Sequence, residues 1–110
     1  METRYQPPDE RQLDCARFLA EIRVILQPRL DVPPLSDTAR RTEAVSGMLR
    51  ALLDETQGDE REAVRVMRRL GARLLDESSQ GGASTYAAWQ RLVNLARCTE
   101  AFLDVESRSR

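Results

Sequence analysis

Between Leu13 and Leu26 the chain reads LDCARFLAEIRVIL, in which only Asp14, Arg17, Glu21 and Arg23 are polar. Wound at about 100° per residue, Cys15, Phe18, Leu19, Ile22, Ile25 and Leu26 make one apolar face, and Leu13, Ala16, Ala20 and Val24 make a second. A helix apolar on two sides belongs at the centre of its structure, covered by the rest of the chain, by a second copy or by another protein. Asp14, Arg17 and Glu21 form its polar wedge, and Arg23 projects between the two apolar faces, where it must reach out to water or meet a carboxylate.

The rest of the pattern predicts three further helices. The first opens after Pro7-Pro8, where Asp9 can cap it, and stops at Pro28. The connector Pro28 to Leu35, PRLDVPPL, is stiffened by three prolines, while Leu30, Val32 and Leu35 are available to pack. Ser36 or Asp37 then caps a second helix over about Thr38 to Thr56, with Val45, Met48, Leu49 and Leu52 at helical spacing and Gly58 as its stop. Asp59 and Glu62 resemble a capping box for a third helix to about Asp76, which turns Ala63, Val66, Met67, Leu70 and Leu74 inward. After the polar loop Glu77 to Ala83, Ser84 or Thr85 opens a fourth helix aligning Tyr86, Trp89, Leu92, Val93, Ala96 and Leu103, before the tail ESRSR. Strand-like alternation is absent, and short connections favour antiparallel neighbours. The expected fold is all-α, a four-helix up-and-down bundle with a central, doubly apolar first helix. Its parts are an N-terminal arm over 1–8, a single bundle domain over 9–105 and a flexible tail over 106–110.

Composition narrows the chemistry. All 17 basic residues are arginine, and the chain has neither lysine nor histidine. That removes a Schiff-base or Walker lysine, a Ser-His-Asp or Cys-His site and any imidazole metal site. The carboxylate pairs Asp9/Glu10, Asp54/Glu55, Asp59/Glu60 and Asp76/Glu77 sit at helix ends, and a di-metal bundle would need inward glutamates with a Glu-x-x-His motif. No catalytic residue, metal ligand or cofactor is expected. Cys15 and Cys98 fall on different helices without metal spacing and read as structural thiols of a reducing compartment. METRYQPP is too polar for a signal peptide and no apolar run approaches the length of a membrane span, so a cytoplasmic location is expected. The formal net charge of -1 gives no overall attraction to nucleic acid or membrane, so only a local patch could act that way.

One such patch exists. Arg61, Arg65, Arg68, Arg69 and Arg73 fall within an arc of about 140° on the third helix, offset only by Glu62. These five are the candidate partner-binding residues, for an acidic protein surface, a phosphate-bearing ligand or nucleic acid; a solvated face balanced by neighbouring acids is the plain alternative. Phe18, Leu19, Ile22, Ile25 and Leu26 are the candidate interface or core residues. The glycine-serine loop before the fourth helix lacks the preceding strand and the lysine of a phosphate cradle. The long helices flanking Gly58 do not make a convincing helix-turn-helix.

The segments ARFLAEIRVILQPRL, from Ala16 to Leu30, and ARRTEAVSGMLRALLDE, from Ala39 to Glu55, resemble small helical accessory proteins of bacteria. Those proteins are encoded with aminoglycoside-phosphotransferase-like hydroxyacyl-CoA kinases and acyl-CoA dehydrogenases. One branch serves as the small subunit of the hydroxyacyl-CoA kinase of levulinic acid catabolism. The resemblance covers under half of the chain. The asparagine that follows the leading arginine of the family's second helix is absent between Thr42 and Gly47, and so is the closing signature in the last helix. The resemblance implies an accessory role beside a kinase of acyl-CoA metabolism. Residues and resemblance together lead to a non-catalytic interaction or accessory subunit, a homodimer or a hetero-complex with another protein. The alternative is a nucleic-acid-associated regulator using the arginine face.

Overall fold

The computed structural model describes residues 10–78 and 84–108. Four helices follow in order, α1 (Glu10–Leu26), α2 (Leu35–Glu55), α3 (Glu62–Ser78) and α4 (Thr85–Arg108), and no strand occurs among the described residues. The all-α bundle is therefore the fold. The arm Met1 to Pro8, the proposed cap Asp9, the loop positions Ser79 to Ala83 and the side chains of Leu13 and Asp14 lie outside the described residues.

Contacts fix the directions of the helices. Gly71 of α3 faces Leu49 of α2 while Arg68 reaches Leu53 and Thr56, so these two helices are antiparallel. Ile25 and Leu26 border a cavity shared with Tyr86 and Trp89, and Cys15 borders one shared with Asp104 and Ser107, so α1 runs against α4. Arg61, just before α3, feels the charge of Glu106 near the end of α4, which makes α3 antiparallel to α4 as well. The order is up-down-up-down.

The centre, however, is α4 and not α1. Helix α4 packs against all three others, whereas α1 packs mainly on α4, touches α2 slightly and does not meet α3. Leu92, Leu95, Ala96, Cys98, Thr99, Phe102 and Leu103 of α4 are all buried. Among the described side chains of α1, Ile22 and Ile25 are buried, with Cys15, Phe18, Leu19 and Leu26 partly covered. The described part of its second face is open: Ala16 and Ala20 are exposed and Val24 is 46% exposed. The reason is area, since two alanines offer little apolar surface to drive burial against another helix. Arg23, expected to reach out to water or to meet a carboxylate, is exposed. On α4, polar residues had hidden the centre from the hydrophobic pattern. Buried Thr99 meets its hydrogen-bonding need locally, donating through Oγ1 to the Leu95 carbonyl at 2.8 Å.

The helix ends differ in detail from expectation. Helix α2 begins at Leu35, with Pro34 in the cap position at φ -56° and ψ 148° and no side-chain cap. A proline fixed near helical φ and lacking a donor starts a helix without help from Ser36 or Asp37. Asp37 sits in the first turn instead, where it favours the dipole and pairs with Arg40 at 2.5 Å. Gly58 supplies the stop at φ +82°. Asp59 caps no helical turn in the capping-box manner; it accepts the backbone N–H of Arg61 at 3.0 Å. Ser84 does cap α4, its Oγ accepting the Ala87 N–H at 3.1 Å. Helix α4 runs through buried Glu106 to Arg108, so the boundary placed after residue 105 falls inside a helix.

Helix α3 is rotated relative to the expected face. Val64, Met67 and Gly71 point into the core, with Leu74 and Leu75 at its margin, while Ala63, Val66 and Leu70 are exposed. The small side of Gly71 sets this phase. A Cβ there would lie 3.1 Å from Leu49 Cδ1, so α2 and α3 meet at a glycine contact that a search for large apolar residues passes over.

Candidate interaction surface

The five candidate arginines, Arg61 just before α3 and Arg65, Arg68, Arg69 and Arg73 within it, divide into two groups. Arg61 pairs with Asp59, its Nη2 lying 2.5 Å from Oδ2 and its Nε 3.0 Å from Oδ1. Arg68 donates through Nη1 to the Leu53 carbonyl and, at 2.9 Å, to Thr56 Oγ1. Thr56 in turn donates to the Leu52 carbonyl at 2.7 Å. The last carbonyls of a helix have no partner within it, so Arg68 and Thr56 together close the end of α2 and fasten it to α3. Both Arg61 and Arg68 are thus engaged within the chain. Arg65, Arg69 and Arg73 are exposed. The face survives as three residues.

A better-formed surface lies where the proline-rich connector meets the start of α4. A cavity of about 450 Å³ is bounded on one side by the connector residues Gln27 to Val32 and on the other by Tyr86, Trp89, Val93 and Arg97 of α4. The α4 residues recur every three or four positions and therefore stand in one row along the helix. Trp89 is half-buried, and the Arg29 guanidinium carbon lies 5.3 Å from the centre of its ring, within cation–π range. Tyr86 is 65% exposed, contrary to its expected inward direction, and Leu30 is fully exposed. Pro28 and the pair Pro33-Pro34 fix the backbone at the two ends of the stretch that carries Arg29 and Leu30, Val32 is biased by the proline after it, and Pro33 is itself buried. The connector is fastened at its end, yet it holds a large apolar side chain out in water.

The wall residues were individually visible in the sequence, but their assembly was not. Periodicity places Tyr86 and Trp89 on a core-facing stripe, and although Pro28 marks the end of α1, a linear pattern does not show that this end falls beside them. Leu30, expected from the sequence to be available to pack, is exposed instead, and no linear pattern shows that.

Electrostatics adds structural roles rather than reactive groups. The Asp59 carboxyl is lowered from 3.8 to about 2, first by the Arg61 side-chain hydrogen bond and then by the Arg61 backbone N–H. Arg61 is raised by the same pair. Burial pushes the Cys98 thiol up to about 11, so it stays protonated and a poor nucleophile at neutral pH. Among the described residues no group of three or more Cys, Asp or Glu side chains is placed to hold a metal ion, and no helix is long and apolar enough to cross a membrane. Comparison with known protein families, curated proteins and solved structures finds no match to this chain.

Proposed function

We propose that this chain is a non-catalytic interaction module that docks on another protein through the surface formed by the connector and the start of α4. The observation that supports this most is the placement of fully exposed Leu30 on a proline-stiffened segment beside open Tyr86 and the Arg29–Trp89 stack. Tryptophan, tyrosine and arginine dominate the energetics of protein interfaces, and a stiff connector loses little freedom on binding. The open second face of α1, with Val24 among alanines, is a further apolar surface that a larger assembly would cover. A cytoplasmic accessory subunit of a kinase in acyl-CoA metabolism is the narrower reading, and it rests on the resemblance of Ala16 to Leu30 and Ala39 to Glu55.

The test is a comparison of variants in co-purification from the native host. Leu30→Asp with Tyr86→Ala should abolish recovery of the partner while circular dichroism shows an intact helical fold. Arg65→Glu with Arg69→Glu should leave recovery unchanged. The opposite pattern would move the interface to α3. Sedimentation of the pure chain distinguishes a second copy from a different protein as the occupant.

A second reading is favoured by one observation: Arg65, Arg69 and Arg73 have no carboxylate partner among the described residues. On that reading the chain contacts nucleic acid. Its affinity would then fall steeply with salt, with a slope set by about three phosphate contacts, whereas docking through Leu30 and Tyr86 would tolerate salt.

A further inference from the structure

Among the described residues, two buried side-chain polar atoms lack a hydrogen-bond partner, Thr38 Oγ1 and Arg41 Nη1. They are one turn apart on α2, a spacing that makes side chains neighbours on a helix. A buried donor without an acceptor is costly, and a charged one more so, which makes the coincidence of two such groups informative. Arg41 also lines a cleft of about 240 Å³ between α1 and α2, whose other walls are Glu21, Val24, Ile25, Ala44 and Val45.

The chemistry of this cleft is polarised along its length. Helices α1 and α2 are antiparallel, so Arg41 stands toward the Ile25 end and Glu21 toward the Val45 end. Between them the walls are the aliphatic side chains of Val24, Ile25, Ala44 and Val45. A guanidinium fork matches a carboxylate in two parallel hydrogen bonds, and Thr38, buried one turn before Arg41, does not line the cleft. The apolar middle suits a short aliphatic body. The Glu21 carboxylate at the other end opposes a second negative charge.

We propose that the α1–α2 cleft is a binding site for a short aliphatic monocarboxylate, its carboxylate held by Arg41 and its hydrocarbon part against Val24, Ile25, Ala44 and Val45. The cleft shares Ile25 with the cavity beside the connector, and the two proposals are tested at different residues, Arg41 here and Leu30 with Tyr86 there.

Titration of the full chain with sodium isobutyrate, against sodium chloride at matched ionic strength, tests this by calorimetry and by the melting temperature. Isobutyrate should bind saturably and raise the melting temperature, whereas disodium succinate should bind at least tenfold more weakly. Arg41→Met should remove isobutyrate binding. Arg41→Lys, which keeps the charge should the methionine variant fail to fold, should weaken binding at least fivefold by losing the planar fork. Glu21→Gln should leave isobutyrate affinity nearly unchanged and bring succinate closer to it. The proposal is overturned if isobutyrate acts no differently from chloride, which would assign both atoms to ordered water. It is equally overturned if Arg41→Lys binds as the parent does, or if succinate binds as tightly as isobutyrate to the unaltered chain.

Discussion

Arg68 shows how a residue that looks like surface charge in a linear pattern becomes part of the framework. Its contacts to the Leu53 carbonyl and Thr56 Oγ1 satisfy the open end of α2 from a neighbouring helix. Replacing it with methionine keeps the stem and removes those bonds, and should lower stability by about 1–2 kcal/mol in denaturant unfolding. Arg65→Glu should stay within about 0.5 kcal/mol of the parent, because its side chain is exposed. The pair Asp59 and Arg61 adds a pH dependence of defined sign. A carboxyl lowered to about 2 in the folded chain contributes stability at pH values above its ordinary 3.8, and that contribution is lost as pH falls through the interval between the two. The stability difference between the parent and Asp59→Asn should therefore be constant near neutrality and shrink as the pH is taken from about 4 toward 2. A difference that grew on acidification would assign the wrong partner to Asp59.

At the scale of elements, the helices were legible because each carries enough aliphatic residues at helical spacing, and their ends were less so because caps depend on geometry. Pro34 took the cap position that Ser36 and Asp37 suggested, and Gly71 set the rotation of α3 in place of Val66 and Leu70. Centrality was misread for a related reason. Counting apolar positions gives an alanine the weight of a phenylalanine, so two faces of α1 look alike although Ala16, Ala20 and Val24 offer far less area than Phe18, Ile22 and Ile25. The wide burial of α4 includes Thr99 and Glu106, which a hydrophobic pattern discards. Truncating Phe102 to alanine should cost about 3–5 kcal/mol, because its side chain is fully enclosed. Phe18→Ala, at a partly covered position, should cost clearly less, and Val24→Ser should leave the unfolding midpoint almost unmoved. Equal losses at Phe102 and Val24 would return α1 to the centre.

For the whole molecule, the decisive feature is that the bundle covers itself incompletely. Helix α1 ends at Leu26 and leaves the row Tyr86, Trp89, Val93 and Arg97 open beside the connector. The arginine face was fully legible as sequence but only partly as a site, because Arg61 and Arg68 are drawn into contacts that join distant parts of the chain. The connector surface was illegible because it exists only where two segments more than fifty residues apart meet. Site-specific photocrosslinking in the native host addresses the docking surface directly, with a photoreactive residue placed singly at Leu30, Tyr86, Arg65 and Ala72. The account predicts one discrete protein adduct of the same mass from the Leu30 and Tyr86 positions, and none from Ala72 on the outer side of α3. Adducts confined to Arg65 and Ala72, with none at Leu30 or Tyr86, would contradict it.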